Sequence, residues 1–217
     1  RSCSSAASDV YKRQSIDSLR EKYKSKLNNQ SQEYEKYLET INRQIKDIEK
    51  LVNEFSNFAR MPRPILKKIN IVNVIKKSLD FIKMTSKSSI NLITKDKEIF
   101  INGDEDQLNR VFINLIKNSQ EAIDEISKKD TKFKGNIDIE IDNNNDYIVC
   151  RLTDNGSGIT DPKKAMTPYF TTKKTGTGLG LPIVTKIINE HLGDFSIRNK
   201  KKGKGTIISI SLPKLNA

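Results

Sequence analysis

Asp154-Asn155-Gly156-Ser157-Gly158 opens a stretch that runs through Pro168-Tyr169-Phe170-Thr171-Thr172-Lys173 and closes with Gly176-Thr177-Gly178-Leu179-Gly180-Leu181. Two glycine clusters bracket a loop rich in Thr and Lys. An apolar pattern at helical spacing (Leu181, Val184, Ile187, Ile188) follows the second. Glycine admits positive φ and lets backbone approach a ligand closely. Glycines that feed straight into a helix present its free N–H groups and positive dipole end, which suit phosphate. The physical reading is a nucleotide phosphate held beneath a lid. No Gly-x-x-x-x-Gly-Lys-Ser/Thr occurs, so the phosphate loop is not of the P-loop kind. The run from Gly176 to Gly180 follows a polar loop rather than a strand, which argues against a dinucleotide fingerprint.

Upstream lies Asn114-Leu115-Ile116-Lys117-Asn118-Ser119-Gln120-Glu121-Ala122. In a helix, Asn114, Asn118 and Glu121 cluster along one edge, beside a broad apolar face of Leu108, Val111, Phe112, Leu115, Ile116, Ser119, Ala122, Ile123 and Ile126. Amide oxygens bordering a buried face can carry a metal-bound phosphate, since they suit hard Mg²⁺.

With this element the chain resembles the histidine kinase branch of the ATP-binding superfamily that also holds Hsp90-type chaperones, gyrase B and MutL. The residues match an N box (114–122), a G1 box (154–158), an F box (168–173) and a G2 box (176–181), in that order. The resemblance covers 33–213 and implies ATP and Mg²⁺ as cofactors. It implies an α+β fold, a two-layer α/β sandwich of the Bergerat type with helices on one face of a mixed, mostly antiparallel sheet. By the resemblance Asn118 is the Mg²⁺ ligand, and Asn114 and Asn118 are the catalytic positions. Nucleotide contacts then fall on Asn118, Asp154, Gly156, Gly158, Phe170, Thr172, Lys173, Gly176, Thr177, Gly178, Leu179 and Gly180. The Asp154 carboxylate can accept from the adenine 6-amino group, with Gly156 and Gly158 clearing space for the ring. Lys173, directly after the F box, can pair with phosphates. Asn114 stands where ATPase relatives carry a catalytic Glu. An amide cannot act as general base for water, so slow hydrolysis and phosphoryl transfer to a protein side chain are expected. Ser119 replaces the more usual Ala.

Working towards the N-terminus, 15–60 is charged and helical. Tyr34, Leu38, Ile41, Ile45, Ile48, Val52, Phe55 and Ala59 recur in steps of four and three, a heptad seam with no Gly or Pro. A shorter stripe at Ile16, Leu19, Tyr23 and Leu27 reads as the end of a preceding helix, with the turn at 28–31. One hairpin cannot bury both seams, so a homodimeric four-helix bundle is expected. The hairpin resembles the family's dimerisation and phosphotransfer domain, and 52–64 most resembles nitrogen-regulation sensor kinases of the NtrY type. In those the phosphate-accepting histidine lies on the first helix in a His-Glu-x-x-Asn-Pro context. No His-Glu or His-Asp occurs here, so the acceptor is expected to be missing and autophosphorylation with it. Residues 1–14 lack periodicity and the apolar core of a signal peptide, and read as an assembly scar. The resemblance further implies a response-regulator receiver domain as partner. It also implies a position on the cytoplasmic side of an inner-membrane-anchored bacterial sensor, with membrane contact only through other segments.

Composition agrees. No run approaches the 18 or more apolar residues of a membrane span. Cys3 and Cys150 make no disulfide framework. The net charge of +12 comes from scattered Lys, and aromatics are only 6%, so no nucleic-acid partner is expected. The single histidine, His191, is read as structural, at a helix C-terminus where the dipole favours a cation.

Met61-Pro62-Arg63-Pro64 breaks the helix and marks 61–68 as a linker or hinge before a catalytic domain at 69–217. Within that domain a helix is expected over 72–81 and strands over 90–94, 98–101, 137–141, 147–152, 195–199 and 206–212. Asp104 is the expected N-cap of the central helix, with Gln107 completing a capping box.

Overall fold

The computed structural model describes residues 18, 31–83, 86, 88–144, 146–173 and 176–215. The chain divides into two compact units, 1–59 and 60–217. The expected first helix of the hairpin, apart from Ser18, and the whole of 1–14 lie outside the described residues.

The first unit presents helix α1 (Ser31–Ala59). Its heptad seam is largely bare: Ile41, Ile48, Val52 and Phe55 are 48%, 58%, 56% and 48% exposed. Leu38 alone on that stripe is buried. A stripe of this kind is the face a helix normally covers.

The second unit begins with β1 (Lys67–Asn70), antiparallel to β3 (Phe100–Gly103) in the register Lys67↔Gly103. Helix α2 (Ile71–Lys83) follows directly. Asn70 makes that corner, its Oδ1 accepting from the N–H of Val72 at 3.1 Å and of Ile99 at 3.2 Å. Two sequence expectations change here. The strand expected over 98–101 starts at Phe100, because the Ile99 N–H is taken by Asn70 and its carbonyl by the Ile71 N–H at 3.0 Å. The segment expected as linker ends in a strand, since Lys67 and Lys68 belong to β1.

The main sheet comprises β2 (Ser89–Thr94), β4 (Asn136–Asn143), β5 (Tyr147–Asp154), β6 (Asp194–Asn199) and β7 (Thr206–Pro213), in spatial order β2-β4-β5-β7-β6. Only β2 and β4 run parallel. Alternation buries one face of the central strands: Ile137, Ile139 and Ile141 on β4, Ile148, Cys150 and Leu152 on β5, Ile208, Ile210 and Leu212 on β7. Burial pushes the Cys150 thiol up to about 12, which leaves it an inert core residue.

Helix α3 (Glu105–Ser127) lies over the sheet between α2 and α5 (Gly180–Glu190). Its Leu108, Val111, Phe112, Leu115, Ile116, Ser119 and Ile123 are buried as the helical spacing requires. Each large side chain so buried contributes about 1.5–3 kcal/mol. The mixed, mostly antiparallel sheet with helices on one face is the expected sandwich.

Candidate functional site

The end of β5 forms the floor. Asp154 is 2% exposed, and its carboxylate meets donors from three parts of the fold. Oδ1 accepts from the Gly156 N–H at 2.9 Å and the Thr206 N–H at 3.1 Å, and Oδ2 accepts from the Ser119 hydroxyl at 3.1 Å. A carboxylate offers roughly four lone-pair positions, so Oδ2 keeps one acceptor position for a further donor. Ser119, expected to matter little, is thus the contact between α3 and the floor. Thr206 was not singled out by any motif; only pairing of β7 beside β5 brings its N–H here.

The G1 glycines are also held close to protein neighbours. A Cβ on Gly156 would lie 2.8 Å from the Ala122 carbonyl carbon and 2.9 Å from the Ile123 nitrogen. Gly156 therefore lets the loop press against α3, where the Ser157 N–H also bonds the Ala122 carbonyl at 3.1 Å. Gly158 takes φ +81° beside Asn199, whose amide grips Ile159 from both sides: Oδ1 accepts its N–H at 2.8 Å and Nδ2 donates to its carbonyl at 2.6 Å. Gly205 was also missed; with φ +122°, its Cβ would fall 2.1 Å from the Asp154 carbonyl oxygen. These glycines satisfy protein-to-protein closeness before any ring is considered.

Between the G1 and F boxes comes a short helix α4 (Pro162–Ala165), capped by Asp161. The F and G2 boxes are fastened together: the Tyr169 N–H donates to the Gly178 carbonyl at 3.1 Å, and both residues have positive φ, 67° and 69°. A Cβ on Gly178 would sit 2.5 Å from the Tyr169 carbonyl carbon. Phe170 is half-buried and Thr172 exposed, while the Gly176 N–H closes back on the Lys173 carbonyl at 3.2 Å. Leu179 is fully buried, so only its backbone can serve a ligand. Helix α5 starts at Gly180 with no side-chain cap, leaving its first N–H groups for an anion. A Cβ on Gly180 would be 3.8 Å from Asn118 Nδ2, so that helix end adjoins the N box.

Asn114, Asn118 and Glu121 are half-buried along one edge of α3. Lys173 reaches the last two of these: its ammonium lies 3.4 Å from Asn118 Oδ1 and forms an ion pair with Glu121. Two hard oxygens thus already converge on a cation, a donor set that fits Mg²⁺.

At the far ends of the same helices, the capping box is half realised. Asp104 caps α3 through the Gln107 N–H at 3.1 Å, but the Gln107 amide donates to the Pro62 carbonyl at 3.1 Å. His191 takes the vacant role: its Nε2 accepts the Asp104 N–H at 2.9 Å while Nδ1 bonds the Ile187 carbonyl at 2.8 Å. Buried at the end of α5, it joins that helix end to the start of α3 through both ring nitrogens. Asp104 Oδ2 also accepts the Ile65 N–H at 2.9 Å, tying the expected hinge to the catalytic unit.

Residues 103–216 match the family described as histidine kinase-, DNA gyrase B-, and HSP90-like ATPase. The chain belongs to that family. It is 34% identical over 195 residues to a putative sensor histidine kinase, NtrY-like, of Rickettsia prowazekii, covering 88% of this chain and 31% of the relative. It is 29% identical to the nitrogen regulation protein NtrY of Azorhizobium caulinodans over 76% of this chain and 22% of the relative. The chain therefore spans about a third or less of these relatives. The catalytic domain of the histidine kinase ThkA superposes with a TM-score of 0.59 at 26% identity, over 69% of this chain and 95% of that one. The second unit is accordingly a histidine kinase ATP-binding domain, and the boxes at 114–122, 154–158, 168–173 and 176–181 adjoin one another within it. Among the described residues no helix is long and apolar enough to cross a membrane.

Proposed function

We propose that the chain is the ATP-binding catalytic region of a two-component sensor histidine kinase, delivering the ATP γ-phosphoryl to a histidine and thence to a response-regulator aspartate. The observation that supports this best is that Asn118 meets both Lys173 and the uncapped start of α5, on the helix whose Ser119 bonds Asp154. In this reading the remaining lone pair of Asp154 accepts the adenine amino group. Gly178 and Gly180 bring lid and helix backbone up to the phosphates. Asn118 is the residue that would hold Mg²⁺, with Asn114 beside it. A bound Mg²⁺ supplies screening of the phosphate charge. The protein's own share is positioning and electrostatics. An ATPase or chaperone reading would call for a carboxylate at position 114, where the chain has Asn.

His191, the one histidine in the sequence, is buried in the α3–α5 clasp, so the chain is not expected to label itself with ATP. The bare seam of α1 is read as a homodimer face, 15–60 as dimerisation and phosphotransfer hairpin, and 69–217 as catalytic domain. Anchoring in the inner membrane would come through segments other than these.

Calorimetric titration of ATP with and without Mg²⁺ tests the reading, comparing wild type with Asp154→Asn and Asn118→Ala. Expected outcomes are lost affinity in the first variant and lost Mg²⁺ dependence in the second. Nucleotide-indifferent wild type would sink the proposal and leave a dimeric scaffold as the better account.

A further inference from the structure

Lys173 does more than reach across the site. Its ammonium is shared by Asn118 Oδ1 and the Glu121 carboxylate, groups one helical turn apart on the same edge of α3. We infer that Glu121 and Lys173 form an internal cation lock. In the nucleotide-free protein the Lys173 ammonium holds the place of the metal, and binding of a divalent cation with a nucleoside polyphosphate displaces it, leaving Glu121 as a second protein oxygen for the cation. This rests on the nucleotide reading above and says what controls entry to that site.

The argument is one of charge and tether. The uncapped start of α5 adjoins Asn118, so phosphates seated there come close to the Glu121 carboxylate. Two like charges at that distance repel unless a cation lies between them. The apo protein supplies the cation from the lid, and the loaded site supplies it as metal. The tether makes the exchange a lid movement. Lys173 sits between the Tyr169–Gly178 fastening and the Gly176 turn, so its engagement draws this part of the lid onto α3. The pair is also suited to reversal. Its side chains keep 31% and 41% exposure, and ion pairs so exposed are individually weak. Glu121 was seen in the sequence as an edge neighbour of the N-box amides and given no role. The structure assigns it one because the lid brings it a partner from 52 residues away.

A water-soluble carbodiimide, which joins carboxylates to amines only when they touch, reads the lock directly by peptide mass spectrometry on the full chain. The expected result is a Glu121–Lys173 cross-link in the nucleotide-free protein that disappears at saturating Mg²⁺ and ADP. In parallel, Glu121→Gln removes the repulsive charge and frees Lys173. Calorimetry should then show ADP binding without Mg²⁺ about fivefold tighter than in wild type, with a smaller gain on adding Mg²⁺. A cross-link that survives saturating Mg²⁺ and ADP, one absent from the nucleotide-free protein, or an unchanged Mg²⁺ dependence in Glu121→Gln would overturn the lock alone. Wild type that takes up no ADP would overturn the functional reading and the lock together.

Discussion

Two carboxylates face the same site and live under different physics. Asp154, on the floor, is buried and held by donors from β7, α3 and its own turn. Glu121, under the lid, is partly exposed and held by one flexible lysine. The floor has been built into the fold, so disturbing it should register as lost stability. The lid contact lies near the surface, where an ion pair contributes little to stability, so disturbing it should register in ligand binding instead. In the proposed reading, a site that holds one end of its ligand and admits the other uses both.

The sharpest way to break this contrast is at the floor. Asp154→Ala would leave the Gly156 and Thr206 N–H groups and the Ser119 hydroxyl facing a buried void, and an expected loss of about 3 kcal/mol or more should appear in denaturant titration. Gly156→Ala should cost a comparable amount, about 3 kcal/mol, since its Cβ would meet Ala122 backbone at 2.8 Å. Ser119→Ala removes one donor and should cost about 1–2 kcal/mol; a neutral result would show that α3 does not depend on the floor.

Asp104 tests the middle ground, a carboxylate bonded by backbone yet only partly covered. Burial pushes its carboxyl up, but the N–H groups of Ile65, Gln107 and Asp106 together hold it below the ordinary value of 3.8. Its contribution is therefore fully present above the ordinary carboxylate value and is lost as pH falls through the lower folded one. Asp104→Asn keeps an N-cap but cannot accept the Ile65 N–H in the same way. Its stability deficit against wild type should shrink as pH falls below the ordinary carboxylate value of 3.8. A deficit independent of pH would remove the carboxylate from the account. Smallest of all, Glu121→Gln should move stability by less than about 0.5 kcal/mol while altering Mg²⁺-free ADP binding. A large loss of stability there would erase the distinction between floor and lid.

Much of this could be read from the residues. The helical run of α1, the apolar face of α3 and the alternating strands β4, β5 and β7 follow local periodicity, which tertiary contacts had only to accept. The edges were harder. Lys67 to Asn70 is a short strand with two lysines and little alternation, and it pairs only because Phe100 to Gly103 is brought beside it. Gly205 follows a lysine-rich run, and nothing in that run reveals that the Asp154 carbonyl oxygen lies 2.1 Å from where its Cβ would be. Asp104 and Gln107 carry the spacing of a capping box, yet a histidine 87 residues away supplied the better partner.

By itself the sequence determined the family, the order of the boxes and the helical and strand periods, because each depends on residue type at short spacing. Tertiary structure alone decided that Ser119 and Thr206 hold Asp154, that Gly156 serves helix packing, and that Lys173 reaches Glu121. Those contacts join residues tens of positions apart, and their existence depends on which strand lies beside which, a choice settled by burial of the whole sheet and not by any one segment.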